Sequence, residues 1–132
     1  MASDDLAPEV RSFIDEHIRS VSQLEMLLLL QTTADQNWTV AELARELRVE
    51  AAWVEAQLNG FAAAGLVSKS AETPAAYRFN PATPELRRAM LALSRAYLLQ
   101  RVRVIERVYG RSSDRIQAFA DAFRLKKERP DG

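Results

Sequence analysis

TVAELARELRVEAAWVEAQLNGFAAAGLV, residues 39–67, reads as two short helices joined by a tight turn and followed by the start of a strand. Thr39 with Glu42 has the capping-box form, in which each side chain satisfies a backbone N–H that the first helical turn leaves unpaired. Leu43 and Leu47 lie one turn apart and share a face. Arg48-Val49 interrupts that spacing. Val54, Leu58 and Phe61 then mark the buried side of a second helix over 50–64. Gly65 ends that helix, because glycine enters the left-handed C-cap conformation at little cost. Leu66-Val67-Ser68-Lys69 reads as a strand, 71–75 as a turn containing Pro74, and Ala76-Tyr77-Arg78-Phe79 as the returning strand.

Working outward on the N-terminal side, residues 1–7 are small and acidic and are expected to fray as a disordered terminus. Pro8 suits the first turn of a helix that carries Val10, Phe13, Ile14, His17 and Ile18 at helical spacing as far as Arg19. A second helix, Gln23 to Thr32, is capped by Ser20 or Ser22; its leucines make it apolar nearly all round, which predicts burial. Asp35-Gln36-Asn37 reads as a turn and Trp38 as a one-residue strand. On the C-terminal side, Thr83-Pro84-Glu85 starts a helix predicted to reach Tyr109, with Gly110 as its breaker. It bears two apolar stripes: Leu86, Met90, Leu93, Tyr97, Val104 and Val108 form one, and Leu91, Leu98, Val102, Ile105 and Tyr109 the other. One stripe suffices to pack on the domain. The second asks for a partner, either a copy of the same helix in a dimer or the N-terminal helix of the same chain. A last helix over 113–127 presents Ile116, Phe119, Ala120 and Phe123 on one face, followed by basic residues.

The motif residues Glu42-Leu43-Ala44, Leu47, Val49, Val54, Leu58, Phe61 and Ala64-Gly65-Leu66-Val67 resemble the helix-turn-helix of the winged-helix superfamily, in the style of MarR-like bacterial transcriptional regulators. The resemblance covers about residues 21–80. It implies a mostly α fold: a winged helix-turn-helix with a two-stranded β wing, an N-terminal helix and two C-terminal helices. The expected organisation is a winged-helix domain with its N-terminal helix over 8–80 and a C-terminal helical dimerisation or docking extension over 81–132. It also implies a transcription regulator that binds duplex DNA through the 50–64 recognition helix and a wing at 66–79, acting as a homodimer.

Charge qualifies that expectation. Net charge is zero, yet residues 1–66 carry 4 Arg against 11 Asp/Glu and residues 67–132 carry 14 Lys/Arg against 7 Asp/Glu. DNA binders place cations where phosphates will lie, whereas no residue from Val49 to Ser68 is basic. On the side of the second helix opposite Val54, Leu58 and Phe61 stand Ala52, Ala56, Asn59 and Ala63, flanked by Glu55, with Trp53 and Gly60 on the other flank. Glu55 suits a cytosine amino group and Asn59 an adenine edge. The DNA-binding candidates are therefore Thr39, Arg48, Ala52, Glu55, Ala56, Asn59, Lys69 and Arg78. The alternative is a winged helix that serves as a protein-interaction or dimerisation module without DNA. Its candidate interface residues are Trp53, Leu91, Leu98, Val102, Ile105, Tyr109, Phe119 and Phe123, with a protein partner on the 50–64 face or the 113–127 helix.

Other classes lack their residues. The 132-residue length fits one domain. There is no cysteine, a single histidine (His17), no glycine-rich phosphate loop and no metal-ligand spacing, so neither enzyme chemistry, cofactor nor metal is expected. The most apolar run, Met26 to Leu30, is far shorter than the roughly 20 residues a membrane span needs. No signal-peptide pattern is present, and a cytoplasmic location is expected.

Overall fold

The structure, a computed structural model, describes residues 6–110. Five helices and three short strands follow in the order α1 (Pro8–His17), α2 (Val21–Thr32), β1 (Trp38–Thr39), α3 (Val40–Leu47), α4 (Ala51–Ala63), β2 (Val67–Lys69), β3 (Ala76–Phe79) and α5 (Pro84–Leu99). Residues 101–110 are helical again and are called α6. The strands form one antiparallel sheet in the order β1-β3-β2. A helix, a strand, a helix-turn-helix and a hairpin in this succession make a winged helix-turn-helix, and α1, α5 and α6 are the flanking helices.

Local chemistry explains most boundaries. Ser20 accepts a hydrogen bond from the Gln23 N–H, so α2 begins at Val21 rather than Gln23. Thr39 and Glu42 close a complete capping box on α3. Thr83 accepts from the Leu86 N–H and Pro84 occupies the first turn of α5. After α4, Gly65 takes φ +82°, its N–H reaches the Ala62 carbonyl and the Leu66 N–H reaches the Phe61 carbonyl. This is a Schellman C-cap.

One continuous core joins these elements. Leu24, Leu27 and Leu30 of α2, Leu43 of α3, Leu58 of α4, and Met90 and Leu93 of α5 are fully buried in it. Leu6, which its sequence neighbours place in a frayed terminus, is itself in this core at 6% exposure. Helix α1 ends at His17, not Arg19, because Ile18 turns extended (φ −113°) to bury its side chain. His17 packs against Phe13 with the rings tilted at 51° and 4.7 Å between centroids. Burial lowers its pKa, and the neighbouring Glu16 carboxylate opposes that shift.

The long C-terminal helix differs from expectation. It is not continuous from Pro84 to Tyr109: Gln100 leaves helical geometry at φ −136°, ψ 47° and separates α5 from α6. Gly110, the expected breaker, is itself helical and is the last described residue. The break lets Val104 and Val108 be fully buried, and it brings Arg107 to Asp15 of α1, whose carboxylate accepts from the guanidinium through both Nε (2.9 Å) and Nη2. That hydrogen bond is the main cause of a raised Arg107 pKa, partial desolvation opposing it and the Asp15 charge adding to it. Helix α1 packs along α5, so the first apolar stripe is covered within the chain. Among the described residues nothing covers the second: Leu91, Leu98, Leu99, Val102 and Tyr109 are exposed, and Ile105 is partly so.

Candidate nucleic-acid interface

Helix α4 is seated by its apolar side. Val54, Leu58 and Phe61 are buried, and Gln57 accepts a 2.6 Å hydrogen bond from the Gln23 amide of α2. The opposite side is open: Ala51, Ala52, Glu55, Ala56, Asn59, Gly60 and Ala63 are exposed. Asn59 is already engaged, since its Oδ1 accepts from the Tyr77 hydroxyl of β3 at 3.1 Å. The bidentate Asn–adenine pairing uses both ends of the amide, so Tyr77 competes for one of them. The signal for this lay in the sheet pairing, which the sequence pattern does not specify.

The turn before α4 holds Arg48 in the left-handed region (φ 58°, ψ 48°), where the Val49 N–H reaches back to the Ala44 carbonyl. Arg48 thus occupies the position that Gly65 fills after α4. Its side chain lines a shallow polar cleft of about 410 Å³ with Arg45, Glu42, Glu46, Gln36 and Trp38. Two cations and two carboxylates line this cleft.

The wing hairpin is closed by Ser70, whose backbone N–H donates to the Ala76 carbonyl and whose hydroxyl accepts from the Ala76 N–H at 2.9 Å. The register pairs Lys69 with Tyr77 and Ser68 with Arg78. Neighbouring pairs in a ladder point to opposite faces, so the two cations of the wing are not on one surface. Lys69 lies on the α4 side, 5.7 Å from the Tyr77 ring centroid, and lines a groove of about 430 Å³ with Thr39, Ala41, Ala51, Glu55 and Pro74. Arg78 lies on the far side, in a separate cleft with residues of α2 and α5. Thr39, Glu55 and Lys69 are therefore brought together. Arg48 sits at the other end of α3, and Arg78 is turned away from α4.

Trp53 is half-buried against the core and lines a cleft with Ser20, Ser22, Val49 and Glu50, at the α1–α2 junction rather than on the open side of α4. Phe119, Phe123 and the expected 113–127 helix lie outside the described residues. Among the described residues, no His/Cys/Asp/Glu group is arranged to hold a metal ion, and no helix is long and apolar enough to cross a membrane.

The chain is similar to a MarR-family regulator. The crystal structure of that protein, a transcriptional regulator of the MarR family from Silicibacter pomeroyi, aligns with 92% of this chain and 81% of its own, at 17% sequence identity and a TM-score of 0.48. No family model matches the chain, and no curated protein matches it.

Proposed function

We propose that this protein is a non-catalytic winged-helix transcription regulator that binds duplex DNA as a homodimer. In this reading α4 enters the major groove, and Arg45, Arg48 and Lys69 hold the phosphates beside it. The observation that carries it is the open, small-residue face of α4, with Lys69 of the wing strand beside Ala51 and Glu55 and Arg48 in the turn that leads into the helix. Ala52 and Ala56 allow close approach and suit thymine methyl groups, Glu55 suits a cytosine amino group, and the Asn59 amide N–H₂ suits an acceptor on a purine. With few cations, the electrostatic part of binding is small, and specificity rests on shape and on these base contacts.

Fluorescence anisotropy with random-sequence duplex DNA across a salt series tests this. Three phosphate contacts per protomer correspond to a slope of log K against log salt of about −2.7, doubled in a dimer. Lys69→Ala flattens the slope by about 0.9 per protomer, whereas Arg78→Ala leaves it unchanged. Absence of binding even at low salt sinks the reading. The remaining one is then a protein-interaction module, favoured by a specific observation: the exposed side of α4 carries Glu55 and no cation and borders a groove with Pro74, Ala75 and Tyr77, which suits a partner helix with a basic residue.

A further inference from the structure

One hydrogen bond ties the open side of α4 to the wing. Asn59 is exposed on that side, one helical turn beyond Glu55. Its Oδ1 accepts at 3.1 Å from the hydroxyl of Tyr77, eighteen residues further along the chain. Tyr77 is 1% exposed. It lies on β3, the middle strand of the sheet, opposite Trp38 of β1 on one edge and Lys69 of β2 on the other. The Lys69 ammonium stands 5.7 Å from its ring centroid. The hydroxyl is thus fixed by the sheet, whereas the side chain that it holds faces outward.

The direction of this bond decides which atoms of Asn59 remain for a ligand. A phenol has one hydrogen to donate, and an amide has one end that accepts and one that donates. With the amide turned round, the buried O–H loses the acceptor that it has here, a costly state for a group shielded from water. The oxygen therefore points to the sheet, and the trigonal amide carries its N–H₂ away from Tyr77.

We infer, on the reading that α4 enters the major groove, that Tyr77 is a positioning residue that makes Asn59 select guanine over adenine. In that groove adenine presents an acceptor, N7, beside a donor, its amino group, whereas guanine presents two acceptors, N7 and O6. An unrestrained asparagine matches adenine because it turns both ends of its amide to the base. Asn59, its oxygen held by Tyr77, turns two N–H donors to the base and no acceptor. That set matches guanine and leaves the adenine amino group unpaired. Because β3 is paired along both edges, the selection is built in before DNA arrives.

The test is selection of bound duplexes from a randomised pool, followed by sequencing, with the full chain as wild type, Asn59→Ala, Tyr77→Phe and Asn59→Asp. The position whose preference Asn59→Ala abolishes is the one that Asn59 reads. The wild type is expected to favour guanine over adenine there by about tenfold, within the range of a single base contact. Tyr77→Phe keeps the ring and frees the amide to turn, so adenine rises at least to parity at that position and the other positions keep their preferences. A merely structural role for the hydroxyl weakens all positions alike. Asn59→Asp keeps an acceptor for Tyr77, offers a carboxylate oxygen to the groove and moves the preference to cytosine, whose amino group donates. This variant alters only an exposed residue, so it decides the matter even where Tyr77→Phe fails to fold. Adenine favoured by the wild type, guanine still favoured in Tyr77→Phe or in Asn59→Asp, or an Asn59→Ala that alters no single position overturns the role of Tyr77 and leaves DNA binding standing. A wild type that enriches no duplex sinks DNA binding and this role together.

Discussion

Arg48 combines two roles that pull in different directions. Its backbone occupies the left-handed region at φ 58°, a conformation that costs an L-residue roughly 1–2 kcal/mol relative to glycine. Its side chain is one of the cations nearest the start of α4. Glycine is the residue of choice at this position on stability grounds, as Gly65 illustrates at the other end of α4 with a φ of +82°. Arg48→Gly is expected to raise stability by about 1 kcal/mol in urea unfolding, while weakening DNA binding and reducing its salt slope by about 0.9 per protomer. A variant that gains stability and keeps the full slope removes Arg48 from the phosphate contacts.

At the scale of elements, α6 is held to the rest of the fold by buried side chains and by an ion pair to α1. Val104 and Val108 are buried, and Arg107 grips both carboxylate oxygens of Asp15 on α1. The pair is partly exposed, at 41% and 31% of the two side chains, so solvent screens it. Its bidentate geometry places it at the upper end of surface pairs, about 1 kcal/mol. A double-mutant cycle of Asp15→Asn and Arg107→Gln, read by urea unfolding, is expected to return a coupling of that size. A coupling near zero means that the Asp15–Arg107 pair does not help to seat α6. The wing shows the same dependence on pairing. Lys69 and Arg78 look equivalent as two cations on two strands of one hairpin, yet a register in which each faces a different partner sends them to opposite surfaces.

For the whole molecule, the decisive feature is the apolar surface along α5 and α6. Leu98 is 80% exposed and Val102 68%, with Leu91, Leu99 and Tyr109 alongside. Continuous with it, a groove of about 450 Å³ between α2 and α5 is lined by Leu28, Leu29, Tyr97 and Leu98, and the Arg101 guanidinium lies 5.0 Å from the Tyr97 ring centroid. Monomeric proteins rarely leave a large contiguous apolar patch in water. Light scattering after size exclusion is expected to give about twice the 14.9 kDa chain mass, and Leu98→Glu with Val102→Glu to give a folded monomer. A wild-type monomer at tens of micromolar, in the absence of DNA, refutes the homodimer.

Much of the architecture was legible in the sequence because its signals are local. The capping box at Thr39, the proline after Thr83, the glycine at 65 and the spacing of Val54, Leu58 and Phe61 each act within one or two turns of chain, and each stands in the structure where its chemistry requires. The exposed second stripe of the C-terminal helices was legible for the same reason, as a periodicity. What only the tertiary structure decided depends on groups far apart in sequence. The break at Gln100 follows from burying Val104 and Val108 and from an ion pair between residues 15 and 107. The engagement of Asn59 by Tyr77 and the opposite facing of Lys69 and Arg78 both follow from strand register and helix packing. Helical periodicity says which side of an element is buried, but the identity of the neighbour is set by long-range packing free energy, to which no single local pattern corresponds.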